Sequence, residues 1–184
     1  LGAFNNQKRP ILFLDLLKRV HNHYARSSDG PQVYGLMAGK EAGITRHDLE
    51  KRIRQYGLTG YVEVLDFVKE VREFFSEIDV LFATSKREAF GRNILEAMRY
   101  GVPVIAHQDG GHVEIIDQGV NGFLLDLDSD KEMVANQIIE IFRMIIREDP
   151  EIRRVTANAE MVVDRFSDRQ KVVAEVVRHY YLGV

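Results

Sequence analysis

Two glutamates, Glu88 and Glu96, stand eight residues apart on either side of Phe90 and Gly91. The segment after Gly91 is amphipathic, so its start is predicted to be a helix N-terminus, whose free amides bind anions. Glycine at that point lets a ligand approach the backbone closely. A carboxylate in the second turn, as Glu96 would be, accepts hydrogen bonds from a diol, as acidic residues do for ribose in dinucleotide-binding folds. The pattern therefore predicts a site for an anionic ligand that also has hydroxyl groups.

The segment from residue 79 to residue 125 contains the elements that must position these side chains. An apolar run at residues 80–83 precedes the loop of Glu88, and a second run at residues 102–106 precedes a Gly110-Gly111 turn. Strand, loop, helix, strand and loop form the repeating unit of a parallel sheet. Loops at the carboxyl ends of such strands open on one crevice, so the glycine pair is expected to form its second wall. An ordinary tight turn would also account for the two glycines.

The rest of the chain continues this alternation of strands and helices. Pro10 fits the first turn of a helix, Thr45 fits the N-cap of a helix over residues 46–56, and Gly57 fits its end. We predict an α/β fold, a Rossmann-like three-layer sandwich with a mainly parallel sheet of about six strands. A length of 184 residues suits a single domain, residues 1–184.

Three further helices are predicted towards the C-terminus. Ser129 and Glu132 match a capping box, in which a serine and a glutamate stand three residues apart at a helix start. Pro150 fits the first turn of the next helix. A second capping box begins at Ser167, so a separate last helix is predicted over residues 167–182.

Composition and charge exclude several classes of protein. The 25 Lys and Arg residues against 28 Asp and Glu residues give a net charge of −3 without a basic block, so no nucleic-acid partner is expected. The ligand is therefore predicted to be a small molecule. The chain has no cysteine, which excludes disulfides and cysteine-bound metals and suits the cytosol. No apolar run reaches the roughly 18 residues that a membrane-spanning helix needs.

The central stretch resembles the C-terminal, nucleotide-sugar-binding domain of retaining GT-B glycosyltransferases of family four, the group 1 transferases. Besides the two glutamates around Phe90 and Gly91, several short motifs match in order. They are Leu95-Glu96-Ala97-Met98, Gly101-Val102-Pro103-Val104-Ile105-Ala106, Gly110-Gly111, Glu114-Ile115-Ile116, Gly119 and Asn121-Gly122-Phe123. The resemblance implies transfer of a sugar, with retention, from a UDP- or GDP-sugar to a hydroxyl acceptor. It also implies that neither a metal nor another cofactor is needed.

The resemblance implies roles for individual residues. Glu88 would bind hydroxyls of the donor sugar, and Lys8, six residues after Gly2, would hold the donor diphosphate. These two are the predicted catalytic residues. The predicted donor-binding residues are Glu96, Phe90, Gly91, Arg92, Asn93, Ile94, Gly110, Gly111, Phe67 and Val68.

Two positions depart from the family pattern. Ala3 stands where relatives commonly have an arginine of the phosphate clamp, and Asp66 stands where they usually have a glycine beside the nucleobase. The Asp66 carboxylate would either accept a hydrogen bond from a guanine edge or face solvent. Lys8, Arg9 and Arg92 would either bind the anion or be ordinary solvated charges.

Other polar residues near the crevice also have two interpretations. His107 and His112 lie on the glycine-rich wall, either as catalytic groups or as packed or surface side chains. Asp126 and Asp128 imitate the metal-binding aspartate pair of the other large glycosyltransferase fold. Acidic residues at a helix start are typical caps, so no metal site is predicted here.

The expected partners follow from the resemblance. The nucleotide-sugar donor would bind this chain, and a hydroxyl acceptor on a glycan or glycolipid would bind a separate N-terminal domain. Leu1 is the first residue and the chain opens as if inside a strand, so we expect an excised domain that lacks this partner. The last helix, over residues 167–182, would pack towards the absent domain.

The resemblance leaves location and activity partly open. The cytoplasm is the predicted location, with peripheral association of the full-length enzyme at the inner membrane face as an alternative. Polysaccharide biosynthesis is the expected process. Two other functions compete with transfer: a nucleotide-sugar epimerase of the GT-B type, and a nucleotide-binding domain that has lost catalysis, as Ala3 and Asp66 would suggest.

Overall fold

The computed structural model of this chain describes residues 2–26, 30–66 and 68–181, with side chains described as far as residue 166. Within these ranges six strands and seven helices follow one another. The strands are β1 (Gly2–Phe4), β2 (Gly35–Glu41), β3 (Val62–Leu65), β4 (Leu81–Ala83), β5 (Val104–His107) and β6 (Phe123–Leu125). The helices are α1 (Pro10–Tyr24), α2 (Arg46–Tyr56), α3 (Val71–Ser76), α4 (Arg92–Arg99), α5 (His112–Ile115), α6 (Lys131–Ile146) and α7 (Pro150–Tyr181).

The six strands pair in parallel, and their hydrogen bonding divides them into two sheets of three. One sheet has the order β1-β2-β3, and the other has the order β4-β5-β6. In the first sheet, β2 pairs with β3 from Gly35 to Ala38 and with β1 only from Gly39 onward. The predicted α/β fold with six strands is confirmed, and the single expected sheet is present as two.

Two hydrophobic clusters pack the helices against the strands. The first cluster contains side chains of α1, α2 and α6, among them Leu14, Leu49 and Ile138. The second contains side chains of α3, α4 and α7, among them Phe75 and Ile94. The strands therefore lie between two helical layers, which explains why their sequences are apolar on both faces.

Helix α2 forms where local signals predict it. The Thr45 hydroxyl accepts a hydrogen bond from the Asp48 amide, and the Asp48 carboxylate accepts one from the Thr45 amide, which completes a capping box. Gly57 adopts a left-handed conformation at the C-cap, as a glycine readily does. Both ends of α2 are thus determined by side chains that stand beside them in sequence.

The start of α6 differs from the prediction by one residue. Asp130, not Ser129, is the N-cap, because its carboxylate accepts hydrogen bonds from the amides of Glu132 and Met133. Ser129 instead donates its hydroxyl to Asp126. The predicted capping box of Ser129 and Glu132 is therefore wrong, since the Asp130 carboxylate takes the Glu132 amide and the Ser129 amide donates to the Asp126 carbonyl.

Helix α7 runs from Pro150 to Tyr181 without interruption, so the prediction of a new helix start at Ser167 is wrong. Residues 151–182 contain neither glycine nor proline, and nothing there ends the helix. The packing of its last turns towards another domain stays a prediction. Although α7 has 32 residues, no helix of the described ranges is apolar enough over a sufficient length to cross a bilayer.

We expect Thr45→Ala to lower the free energy of unfolding by about 1 kcal/mol, because the Asp48 amide loses its acceptor. Urea unfolding followed by circular dichroism measures the difference. Thr59→Ala is the matched control, since Thr59 is exposed in a turn and should change the free energy by less than about 0.5 kcal/mol. Equal losses in the two variants would contradict the capping assignment.

Candidate functional site

Three loops meet at the carboxyl ends of β1, β4 and β5. The Lys86 amide in the second loop donates to the Gln7 carbonyl in the first loop at 2.8 Å. The Gly111 amide in the third loop donates to the Glu88 carbonyl in the second loop at 2.6 Å. Backbone hydrogen bonds thus join the three loops, and together they form the candidate site.

The side chains of Lys8 and Glu88 form an ion pair between the first two loops. Lys8 Nζ lies 2.5 Å from Glu88 Oε2, and 27% and 15% of the two side chains are exposed. Burial alone would raise the pKa of the Glu88 carboxyl, but the hydrogen bond and charge of Lys8 outweigh burial and hold that pKa below its usual value. Glu88 is therefore a carboxylate at neutral pH, and Lys8 stands beside it with further N–H donors for an anion.

A left-handed arginine adjoins each member of this ion pair. Arg9 directly follows Lys8, and Arg87 directly precedes Glu88; both have φ of 54°. Such a conformation costs a residue other than glycine about 1–3 kcal/mol and persists only where the surroundings enforce it. At Arg87 the Asp109 carboxylate does so, since it accepts a hydrogen bond from the Arg87 amide at 2.7 Å. The two loops are therefore shaped to bring Lys8 and Glu88 together.

The N-terminus of α4 opens beside Glu88. Gly91 is its N-cap in a left-handed conformation, with φ of 76°, and no side chain caps the helix. The amides of residues 91–94 are predicted to be free, and two of them are occupied. Gly91 donates to the Glu88 carboxylate and Ile94 donates to the Gly91 carbonyl. Among the described residues, no acceptor faces the amides of Arg92 and Asn93, so these two amides can bind an anion.

Glu96 lies in the second turn of α4, as predicted. About a third of its side chain is exposed, and burial raises the pKa of its carboxyl against the opposing charge of Arg92. The Arg92 guanidinium lies 3.8 Å from Glu96 Oε1, and 86% of the Arg92 side chain is exposed. Glu96 thus keeps an accessible carboxylate on the helix that begins at the candidate anion site.

Three other predicted donor-binding residues on this segment have different surroundings. Ile94 is completely buried in the second hydrophobic cluster, so its side chain belongs to the core. Phe90 is partly exposed and packs against Phe166 of α7 with ring centroids 6.0 Å apart. Asn93 is half-buried at the start of α4.

Gly110 and Gly111 pack directly against the loop of Glu88. A Cβ atom on Gly110, which has φ of +55°, would lie 2.5 Å from the Glu88 carbonyl oxygen. A Cβ atom on Gly111 would lie 2.8 Å from the Ala89 carbonyl oxygen. The structure therefore brings the glycine pair and Glu88 together, and only glycine permits this approach.

The loop after β3 contains Asp66 and two further predicted donor-binding residues, Phe67 and Val68. The Asp66 side chain is 96% exposed and faces the Arg46 guanidinium at 3.7 Å, so it points to solvent. Val68 packs partly against the second hydrophobic cluster. Phe67 lies outside the described residues. Ala3, at the position of the missing arginine, pairs with Lys40 in the ladder between β1 and β2.

Asp128 joins the positive charges around the site, a role that the sequence does not predict. Its carboxylate accepts hydrogen bonds from Arg9 and, at 2.6 Å, from Lys86. His107 Nε2 lies 3.6 Å from the same carboxylate. The hydrogen bond from Lys86 chiefly holds the pKa of Asp128 below its usual value.

Within the described ranges, no three His, Asp or Glu side chains are grouped so that they could hold a metal ion.

His112 is packed beneath the start of α4. It is completely buried, and its Nδ1 lies 2.9 Å from the His107 carbonyl, so Nδ1 donates and Nε2 has no proton. Burial lowers the pKa of the His112 imidazole, which is therefore neutral at pH 7. A Cβ atom on Gly91 would lie 3.3 Å from His112 Cδ2. The structure thus favours the packing interpretation of this histidine.

A known family matches most of the chain. The family model described as glycosyl transferases group 1 matches residues 1–159. This chain belongs to that family. The resemblance drawn from the central motifs is therefore confirmed. A curated relative, the putative glycosyltransferase EpsD of Bacillus subtilis (strain 168), is 30% identical over 173 residues, which are 94% of this chain and 41% of EpsD.

Solved structures extend the comparison to the fold. The HepE protein of Anabaena in complex with UDP-glucose is 26% identical with a TM-score of 0.74, over 95% of this group 1 chain and 47% of HepE. The C-terminal domain of LpcC, a group 1 family protein of Francisella tularensis, is 23% identical with a TM-score of 0.71 and shows the shared fold. Alignment covers 90% of this chain and 82% of that domain. The group 1 chain thus spans less than half the length of EpsD and of HepE.

We expect Gly110→Ala to lower the free energy of unfolding by about 1–3 kcal/mol more than Gly119→Ala. Both glycines have positive φ, but a Cβ atom on Gly119 would meet nothing within 4 Å, so the difference isolates the clash with Glu88. Urea unfolding of the two variants measures it. Equal destabilisation would show that the glycine pair does not pack against the Glu88 loop.

We expect Lys8→Met to raise the pKa of the Glu88 carboxyl, because burial is then less well compensated. The ion pair stabilises the fold above the usual pKa of 4.5, and this contribution disappears as pH falls through the lowered pKa of Glu88. The variant should therefore unfold more easily than wild type by about 1–2 kcal/mol at pH 7 and by much less in acid. Titration of Glu88 by carbon NMR and urea unfolding at several pH values measure both effects.

Lys86→Met is the matched control for this prediction. Lys86 stands in the same loop as Glu88 but pairs with Asp128. Its replacement should leave the pKa of Glu88 as it is in wild type. A Glu88 titration that does not respond to Lys8→Met would disprove the coupling.

Proposed function

We propose that this chain is the donor-binding domain of a glycosyltransferase that moves a sugar from a nucleoside-diphosphate sugar to a hydroxyl acceptor. The Lys8–Glu88 ion pair beside the uncapped start of α4 supports this function most strongly. It provides a cation for a diphosphate and a carboxylate for sugar hydroxyls within one site. Retention of configuration and transfer without a metal are parts of the proposal, and the resemblance to the retaining group 1 transferases supports them.

The transfer step makes a specific demand on the site. The bond between the anomeric carbon and the diphosphate oxygen breaks, so negative charge increases on the departing diphosphate and positive charge increases on the sugar ring. Lys8 would give the diphosphate a charged hydrogen bond, of a kind that contributes about 1.5–3 kcal/mol. The dipole at the start of α4, through the amides of Arg92 and Asn93, would add about 0.3–2 kcal/mol. This chain therefore contains its own cation and its own amides for the leaving group.

The two glutamates would bind different parts of the donor. Glu88 adjoins Lys8 and is ionised at neutral pH, so it would accept hydrogen bonds from hydroxyls of the transferred sugar. Glu96 stands one turn further along α4 with an accessible carboxylate, which suits the ribose diol. Lys8 would contact both the Glu88 carboxylate, which binds the sugar, and the diphosphate, which leaves.

A UDP-sugar is the donor that the observations favour. The HepE protein, which is similar to this chain, has been solved with UDP-glucose bound. The Asp66 carboxylate would accept a hydrogen bond from a guanine edge only if it lined the base site, and its side chain is almost fully exposed and faces Arg46. We therefore propose UDP-glucose as the first donor to test.

The acceptor would bind largely outside this chain. The relatives EpsD and HepE are each more than twice as long as the part that this chain matches. We propose that a further domain of the full-length protein supplies the acceptor site. The isolated chain should then bind UDP-glucose but transfer glucose slowly, and fast transfer by the isolated chain would contradict this division of roles.

We expect Glu96→Ala to weaken UDP binding by about tenfold or more, because the ribose loses a charged acceptor. Glu88→Ala should leave UDP binding nearly unchanged and remove the additional affinity that glucose gives to UDP-glucose. Isothermal titration calorimetry with UDP and with UDP-glucose separates the two effects. Glu140→Ala is the control, because Glu140 is exposed on α6 and pairs with Arg143.

The same titrations separate the possible outcomes. Equal losses for UDP and UDP-glucose in both glutamate variants would contradict the proposed roles. No binding of either ligand to the wild-type chain would contradict the donor-binding function itself. Hydrolysis or epimerisation of UDP-glucose without an acceptor would favour the epimerase alternative.

A further inference from the structure

Two adjacent hydroxyl residues follow β4 and differ in how their hydroxyls are used. Thr84 and Ser85 are both buried, and only 6% and 4% of their surfaces are exposed. The Thr84 hydroxyl donates to the Lys8 carbonyl at 2.8 Å. Within the described part of the chain, no residue forms a hydrogen bond with the Ser85 hydroxyl. Because buried polar groups almost always have partners, the Ser85 hydroxyl requires one that the described residues do not supply.

The surroundings of Ser85 suit an anion. Ser85, Lys8 and Asn93 line one space, and all three follow the carboxyl ends of β1 or β4. Asn93 stands in the first turn of α4, where the backbone amides of Arg92 and Asn93 have no acceptor among the described residues. The ammonium group of Lys8, the Ser85 hydroxyl and the helix amides can all donate hydrogen bonds. Donors that face one space without an acceptor between them match a bound anion.

The cations around this space already interact with carboxylates of the protein. Lys8 pairs with the ionised Glu88 carboxylate, so these two side chains together have no net charge. Arg9 and Lys86 both bind the Asp128 carboxylate. Part of the positive charge near a bound diphosphate is therefore compensated within the protein. Uncharged donors, such as a hydroxyl and the helix amides, would then contribute a larger part of the affinity for the anion.

We propose that the Ser85 hydroxyl donates a hydrogen bond to the phosphate of the donor that adjoins the sugar. This inference rests on the proposed function and adds a binding residue to the same site. Ser85 shares its space with Lys8, and Lys8 contacts Glu88, which would bind the sugar, at 2.5 Å. The hydroxyl is therefore placed towards the sugar end of the donor. A donor at this point stabilises the leaving group as its negative charge increases.

Isothermal titration calorimetry with UDP and with UMP tests this assignment, because UDP contains the phosphate that adjoins the sugar and UMP lacks it. We expect Ser85→Ala to weaken UDP binding about tenfold or more and to leave UMP binding as in wild type. Ser76→Ala is the control, because Ser76 is exposed on α3 and donates to the Glu73 carbonyl. The control should change neither affinity.

Urea unfolding without ligand separates a role in binding from a role in folding. Ser85→Ala removes a buried hydroxyl that has no described partner, so its urea midpoint should equal or exceed that of wild type. Thr84→Val is the matched comparison, because it loses the hydrogen bond to the Lys8 carbonyl and should have a lower midpoint. Loss of UDP affinity in a variant that is as stable as wild type is the result that a ligand contact predicts.

The remaining outcomes would overturn the proposal. Equal UDP affinity in wild type and Ser85→Ala would do so, and so would an equal loss of affinity for UMP and UDP. A urea midpoint that falls as far in Ser85→Ala as in Thr84→Val would overturn it in favour of a role in folding. Absence of UDP binding to the wild-type chain would instead contradict the proposed function, so the two failures are distinguishable.

Discussion

The ion pair of Lys8 and Glu88 connects two loops that are 80 residues apart in sequence and belong to different sheets. No described strand pairing joins those sheets, so contacts between their loops align the carboxyl ends. The Thr84 hydroxyl adds to this connection by donating to the Lys8 carbonyl at 2.8 Å. The Glu88 side chain is only 15% exposed, and the hydrogen bond and charge of Lys8 stabilise its carboxylate. The proposed function would use the same cation to bind the donor diphosphate.

Around this pair, a second set of charges makes the loops act as one unit. Asp128 follows β6 and binds Arg9 from the first sheet and Lys86 from the second. These groups are partly exposed, so they contribute little free energy of folding. Their effect is mainly geometric, because each restricts a residue directly beside Lys8 or close to Glu88. Asp128, which imitates a metal ligand in the sequence, thus positions the side chains of Arg9 and Lys86 in the structure.

The sequence predicts what short-range signals determine. Both ends of α2 depend on neighbouring side chains, and the order of strands, helices and glycine turns depends on periodicity. Contacts between side chains that are far apart in sequence are not predictable in this way. Asp128 is 119 residues from Arg9, and no local pattern indicates their hydrogen bond. At Ser167 the sequence predicts a helix start that the structure does not have. The capping pattern is present there, but no helix-breaking residue precedes it, so α7 continues through it. The start of α4 also differs from the prediction. The amides of Gly91 and Ile94 are used by the Glu88 carboxylate and the Gly91 carbonyl, so they are not free for a ligand.

The proposed donor site lies where the loops after β1 and β4 meet. Strand order runs from β1 towards β3 on one side and from β4 towards β6 on the other, so the connections turn in opposite directions there. Open α/β sheets bind ligands at the carboxyl ends of their strands where the direction of the connections changes. Lys8 and the loop before α4 meet at this point, so the site proposed for the diphosphate lies where the topology favours a ligand.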